Sequence, residues 1–302
     1  MSANNTTSGF YRAVLIIITA IFLFDVQAAL IKHMSDRYSV EQISLYRNLF
    51  GIVPNIILLL LSSSWHQNGR SLSVGRWQLA LGRGVFLIVA QLTFYSALGY
   101  LALATATTLA FSGPLFITLL SIPLLGHTVG WIRGAAVLLG FIGVVMVMQP
   151  GRDSFSLVAL LPVTAAFFYA LVSLSSRFFA DTVPSSLISI YTSIGALVSA
   201  VIIMLVKSTP FGMLQLQDWL WFIAMGGVGG TAVFLLITAY RMAEPGSLSP
   251  FEYFGIPFSF LLGWWFFGEA PFESLFPGVF LIVGAGLLVL WRERMISKKS
   301  AK

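Results

Sequence analysis

Long apolar runs of about 20 residues alternate with short polar breaks along this 302-residue chain. They fall at roughly 11–33, 42–63, 77–99, 103–125, 130–149, 155–178, 184–206, 217–240, 246–267 and 272–292. A helix rising about 1.5 Å per residue needs about 20 such residues to cross a bilayer. The pattern therefore predicts an all-α integral membrane protein with ten transmembrane helices. The breaks are short: His66–Arg76 is the longest, and Tyr100–Leu103 and Arg241–Pro245 are barely turns. So little chain lies outside the bilayer that no soluble catalytic domain fits.

The runs repeat. Gly246–Glu269 has a paler copy 142 residues earlier at Ala104–His127, aligning Gly255 with Gly113, Phe258 with Phe116 and Gly268 with Gly126. Ala20–Tyr46 matches Ala165–Tyr191 at offset 145, with Asp36 on Asp181, Lys32 on Arg177 and Tyr46 on Tyr191. Each half, 1–150 and 151–302, holds five runs, and the second ends in a basic tail. An odd number sends the second half in from the opposite side. The expected fold is two inverted five-helix repeats around a central cavity, which can open first to one face and then to the other.

Composition narrows the class. With 58% hydrophobic and only 9% charged residues, the lipid bilayer is the solvent. The net charge of +6 is not a nucleic-acid footprint, because five of the 17 Lys and Arg sit in the tail Arg292–Lys302. With both termini inside, eleven Lys and Arg fall on the inner side and four on the outer. That asymmetry places both termini in the cytoplasm. There are no cysteines, so disulfides and thiolate chemistry are excluded. The opening MSANNTTSGF is polar and reads as no cleaved signal peptide.

The stretches QLTFYSALGYLALATATTLAFSGPLF (91–116), IPLLGHTVGW (122–131) and PFEYFGIPFSFLLGWWFFGEAPF (250–272) resemble the drug/metabolite transporter superfamily, in its ten-helix EamA-type branch. DVQAALIKH (25–33) followed by the arginine of ISLYRNLFG (43–51) is similar to it too. The resemblance implies secondary transport of a small metabolite across a bacterial inner membrane, without a cofactor. Members of that branch handle amino acids, vitamins such as riboflavin, S-adenosylmethionine, nucleosides and drugs. The branch usually reads Gly-Glu in the first-half loop, where this chain has Gly126 and His127.

Charges inside a bilayer are costly and face a bundle interior or watery cavity. Asp25 lies roughly 12 Å from the outer end of the first span and Arg47 roughly 9 Å into the second. Either they bind the opposite charges of a zwitterion or they neutralise each other. Lys32 shares a face with Asp25 but lies near the interface, where snorkelling is expected; the same holds for Arg83. Glu252 stands between Pro250 and Pro257, prolines that interrupt a helix as Pro114 does in the first half. A desolvated carboxyl there can hold a proton and couple it to transport. Arg241 on the next loop is its alternative, purely structural, partner.

Gln91, Tyr95, Tyr191 and Tyr253 complete the candidate substrate-binding set, since each buried polar group needs a partner. His33, His66 and His127 lie far apart and offer no metal-ligand spacing. The favoured substrate is an amino acid or related zwitterion. A vitamin or aromatic heterocycle, riboflavin for example, is the second reading, and an intramembrane enzyme acting on lipid is the third.

Overall fold

The computed structural model describes residues 3–67, 69–125, 131–148, 157–180, 182–209, 215–242 and 249–300. His127 lies outside them. Among the described residues every regular element is helical: α1 (Ala3–Met34), α2 (Val40–Leu60), a short α3 (Ser63–Gln67), α4 (Trp77–Leu98), α5 (Leu103–Ala110) and α6 (Gly113–Leu125). The chain continues as α7 (Trp131–Met148), α8 (Leu160–Ser175), α9 (Ser185–Val206) and α10 (Asp218–Met242). A 3-10 turn (Ser249–Phe254), α11 (Gly255–Phe267), a single turn α12 (Phe272–Leu275) and α13 (Gly278–Ser300) complete it.

Six of these helical stretches are long and apolar enough to cross a membrane: Phe10–Met34, Val40–Leu60, Trp77–Leu98, Leu157–Ser175, Ser185–Val206 and Asp218–Leu236. Leu103–Ile117, Gly134–Met148 and Gly278–Leu288 are shorter apolar stretches. The fourth and ninth runs of the sequence are not continuous helices. The fourth breaks at Phe111–Ser112 between α5 and α6, and the ninth changes from 3-10 to α geometry at Gly255. The two restarts, Gly113 and Gly255, are the matched glycines of the internal repeat. Large apolar side chains such as Leu15, Ile57, Ile202, Val206 and Trp265 are exposed on the outside of the bundle. That surface is stable facing hydrocarbon and not facing water.

Neighbouring helices close a circuit: α1 packs on α10, α10 on α2, α2 on α9, α9 on α4 and α4 on α8. From α8 the circuit returns through α5 and α11 to α1, while α7 and α13 pair beside it. The two breaks meet inside, with the ring of Phe111 and that of Tyr253 5.8 Å apart and Gly255 packed under Phe111. In lipid, close helix crossings rest on small residues, because dispersion contacts replace the hydrophobic effect. At the α4–α9 crossing, a side chain on Gly84 would strike the backbone of Gly195 and Ala196, and one on Gly195 the backbone of Leu81.

Overpacking of this kind costs on the order of 1–3 kcal/mol. Gly84→Leu should therefore lower the thermal unfolding midpoint of the purified protein clearly. Gly82→Leu, on the open side of the same helix with nothing within 4 Å, should leave it unchanged or raise it.

Candidate functional site

The polar residues of α2 and α4 meet first. Asn48, fully buried, donates from Nδ2 to Gln91 Oε1 at 2.7 Å and accepts from Gln91 Nε2 at 3.2 Å. Such a reciprocal amide pair satisfies both groups without water. Arg47 Nη1 donates to Asn48 Oδ1 at 3.1 Å, while its Nε is buried with no partner. Tyr95 and Tyr169 both lie within electrostatic range of the Arg47 guanidinium, and of each other. Arg47, Gln91 and Tyr95 are thus brought together, joined by Asn48 and by Tyr169 on α8. Tyr169 went unnoticed in the sequence because it sits in a run of aromatics, FFYAL, that reads as helix packing.

Asp25 is buried on α1, and its Oδ2 has no hydrogen-bond partner. Among the described residues no ion pair joins Asp25 to Arg47, so the mutual neutralisation allowed by their similar depth is not formed. Ala28 and Ala29, one turn further along the same face of α1, pack in one cluster with Tyr95 of α4. Gln27 on α1, Ser44 on α2, and Thr107 and Thr108 on α5 also keep buried polar atoms without partners.

Glu252 and Tyr253 sit in the 3-10 turn. The Tyr253 hydroxyl is buried without a partner and fills the space that a side chain on Gly286 of α13 would take. The prolines act differently from the expectation. Pro114 and Pro257 are the second residue of α6 and the third of α11. A missing N–H costs nothing in a first turn, where those donors lack intrahelical partners anyway. They start helices rather than interrupt them, and the interruption is the 3-10 turn itself. The side chains of Pro114, Pro250 and Arg241 lie outside the described ones, and so does a Glu252–Arg241 contact. Tyr191 is apart from the cluster: its hydroxyl donates to Leu72 O at 3.0 Å, in a groove beside Leu59, Trp65 and Ile194.

Two cations expected to snorkel do not. Lys32 Nζ pairs with Glu269 Oε1 at 2.9 Å and donates to Leu98 O and Leu101 O at 2.9 and 2.7 Å. The other carboxylate oxygen of Glu269 accepts from the Leu103 N–H that opens α5, at 2.9 Å. One ion pair therefore ties the end of α1, the α4–α5 corner and the cap of α11. Two more lie at the same end of the bundle, Arg37–Asp218 at 3.2 Å and Lys207–Glu41 at 2.7 Å. Arg83 is only 7% exposed and donates to the carbonyl of Val172 on α8 at 2.9 Å. In both cases the side chain turns inward because backbone carbonyls at a helix end accept from it.

Two stability outcomes follow. Gln91→Ala leaves one N–H of the buried Asn48 amide unmet, its bonds to Ser44 O and from Arg47 remaining, and should cost roughly 1–3 kcal/mol, with Asn48→Ala in the same background adding little; a double-mutant thermal unfolding cycle measures this. Glu269→Ala strands Lys32 and should lower the unfolding midpoint, whereas Lys32→Met with Glu269→Leu should recover part of the loss.

Residues 11–149 match the EamA-like transporter family. The chain is 25% identical over 268 residues to an S-adenosylmethionine uptake transporter of Rickettsia bellii, covering 89% of each chain. It is 32% identical over 204 residues to a riboflavin transporter of Vibrio cholerae, covering 64% of this chain and 63% of that one. It is 28% identical over 273 residues to the pseudopaline exporter CntI of Pseudomonas aeruginosa, covering 90% and 93%. A solved crystal structure superposes over 92% of this chain and 97% of its own with a TM-score of 0.61 at 23% identity, a likeness of fold alone. A bundle of membrane-length apolar helices, a polar interior and relatives that are transporters rather than enzymes lead to one conclusion: the chain is an integral membrane transporter whose residues 11–149 match the EamA-like transporter family.

Proposed function

We propose that this transporter carries a small zwitterion with an amino-acid head group by alternating access. Ten crossings in two inverted halves, 1–150 and 151–302, would form the carrier. The single observation behind the substrate class is the set of dry, unpartnered polar groups, in which Asp25 and Arg47 carry opposite charges yet do not pair. An uncompensated buried charge costs several kcal/mol, and a zwitterion supplies both counter-charges at once. In this reading Arg47 takes the carboxylate and Asp25 the ammonium. Tyr95, Tyr169 and the Asn48–Gln91 pair then form a wall for the side chain. Glu252 and Tyr253, in the 3-10 turn, are the coupling candidates. Tyr191 has a place only on the route out.

Support for the halves comes from the matched restarts at Gly113 and Gly255 and from the contact of their neighbours Phe111 and Tyr253. The excess of Lys and Arg on the side of the termini supports a cytoplasmic location for both, in a bacterial inner membrane. S-adenosylmethionine is the first solute to test, since it bears the required head group and names the uptake transporters 25% identical over 89% of the chain. A riboflavin carrier is the second reading, favoured by Tyr95, Tyr169 and Tyr253 as ring-stacking surfaces and by the 32% identical relative.

Purified protein in liposomes should accumulate labelled S-adenosylmethionine, with competition by methionine and none by riboflavin. Asp25→Asn and Arg47→Ala should each reduce initial uptake by about tenfold or more, the equivalent of one lost charge-assisted hydrogen bond. Undiminished uptake by both correctly folded variants would sink the assignment. Saturable uptake of riboflavin alone would establish the second reading.

A further inference from the structure

Arg83 belongs to none of the groups placed so far. It lies eight residues before Gln91 on α4, about 12 Å along the axis, and thus deeper toward the end that carries α3. The residue is 7% exposed, with one guanidinium nitrogen on Val172 O at 2.9 Å. The Phe179 ring stands 5.6 Å from the guanidinium carbon. Nε and Nη1 are buried and have no partner. Among the described residues no carboxylate pairs with it.

A guanidinium carries five N–H donors in a rigid fork and cannot shed its charge. One carbonyl satisfies one of those donors. The rest face a dry interior, an arrangement that persists in membrane proteins where an ion or substrate pathway uses the charge. Lipid does not account for it, because α4 is packed between α9 and α8 and the side chain turns onto α8. Arg83 stands about two helical turns from Gln91 of the first cluster. Tyr169, within range of Arg47, and Val172, which holds Arg83, are three residues apart on α8, about 4.5 Å along its axis.

We propose that Arg83 is a second anion-binding station, which takes the carboxylate of the transported solute in its fork after the solute leaves Arg47. This rests on the zwitterion reading above for the identity of the solute, though not for the anion site itself. The chemistry is two N–H donors to one oxyanion, the geometry that guanidinium and carboxylate share. A lipid headgroup phosphate offers the same chemistry, and the test separates the two.

The first arm needs no knowledge of the solute. Purified protein is unfolded thermally in sodium acetate and in sodium chloride at equal ionic strength. Acetate should stabilise wild type more than chloride does, and Arg83→Gln should abolish that difference while Arg47→Gln only reduces it. Equal midpoints in the two salts for wild type would overturn the station. The second arm compares S-adenosylmethionine with its decarboxylated analogue in liposomes. Arg83→Gln should slow S-adenosylmethionine flux about tenfold without changing its binding and leave the analogue unaffected; Arg83→Lys should fall between.

Gln can still donate to Val172 O, so a merely structural Arg83 would be replaced by it without loss of flux, and that result overturns the proposal. Equal slowing of both solutes overturns it too. If flux through wild type depends on phosphatidylglycerol and Arg83→Gln removes that dependence, the ligand is lipid phosphate and the proposal fails. Acetate stabilisation through Arg83 without any S-adenosylmethionine flux would reject the zwitterion reading and leave the station standing.

Discussion

A charge inside a bilayer has no water to fall back on, and the arrangement of this bundle follows from where its charges find partners. At one end they find them completely. Lys32 and Glu269 between them bind each other, two carbonyls and one N–H, while Asp218 takes Arg37 and the hydroxyl of Tyr38. Glu41 takes Lys207. These contacts fasten α1 to the α4–α5 corner and to α11, α2 to α9, and the 35–39 turn to α10. In the interior the balance is reversed: Asp25, Arg47 and Arg83 each keep a buried polar atom with no partner. The fold thus leaves unpartnered polar atoms in its middle and pairs charges at one end.

Backbone breaks follow the same logic. A continuous helix satisfies its own N–H and C=O groups, so it has nothing to offer a solute. The chain changes geometry at Phe111–Ser112 and along Ser249–Phe254; at the first the backbone stays satisfied, with Phe111 N–H donating to Thr107 O and Ser112 N–H to Leu109 O. Both changes fall before a matched glycine and pack against each other through Phe111 and Tyr253. Gly255 and Gly286 matter here for close approach, since each leaves room for one of these aromatic rings.

Much of this was legible along the chain. Apolar run length marked the helices, and Pro114, Pro250 and Pro257 marked the regions in which both breaks fall, because each depends on a local pattern. Polarity within a span picked out Asp25, Arg47, Gln91, Tyr95 and Tyr253 as residues in need of partners. What stayed hidden depends on through-space pairing. Nothing in the spacing of Glu41 and Lys207, 166 residues apart, says they meet, and Lys32 is indistinguishable in sequence from a snorkelling lysine. Tyr191 misled for the converse reason: the same pattern that buries Tyr95 leaves Tyr191 on a surface groove at the α3 end. How Pro114 and Pro257 act was not legible, because a proline's effect depends on its position in the helix, and these two sit in first turns just after each break.

In the proposed alternating-access cycle the paired end would set an energy scale. Exposed ion pairs contribute about 0–1 kcal/mol each, and drier ones more. Lys32 and Glu269 are both partly buried, at 12% and 27% side-chain exposure, whereas each of the other pairs joins an exposed cation to a buried acid: 51% and 1% for Arg37 and Asp218, 60% and 7% for Lys207 and Glu41. Opening that end would admit water to the buried partners, so hydration offsets much of what the broken pairs cost. In that cycle these pairs would be weak enough for a bound solute to move, because a ligand shifts such an equilibrium only by its difference in affinity for the two states. A zwitterion that neutralises the interior charges in one state and meets them poorly in the other has such a difference. On the proposed reading, the unpaired interior charge and the paired end would act as two halves of one device, in which the energy spent on burying charge becomes selectivity for the solute that relieves it.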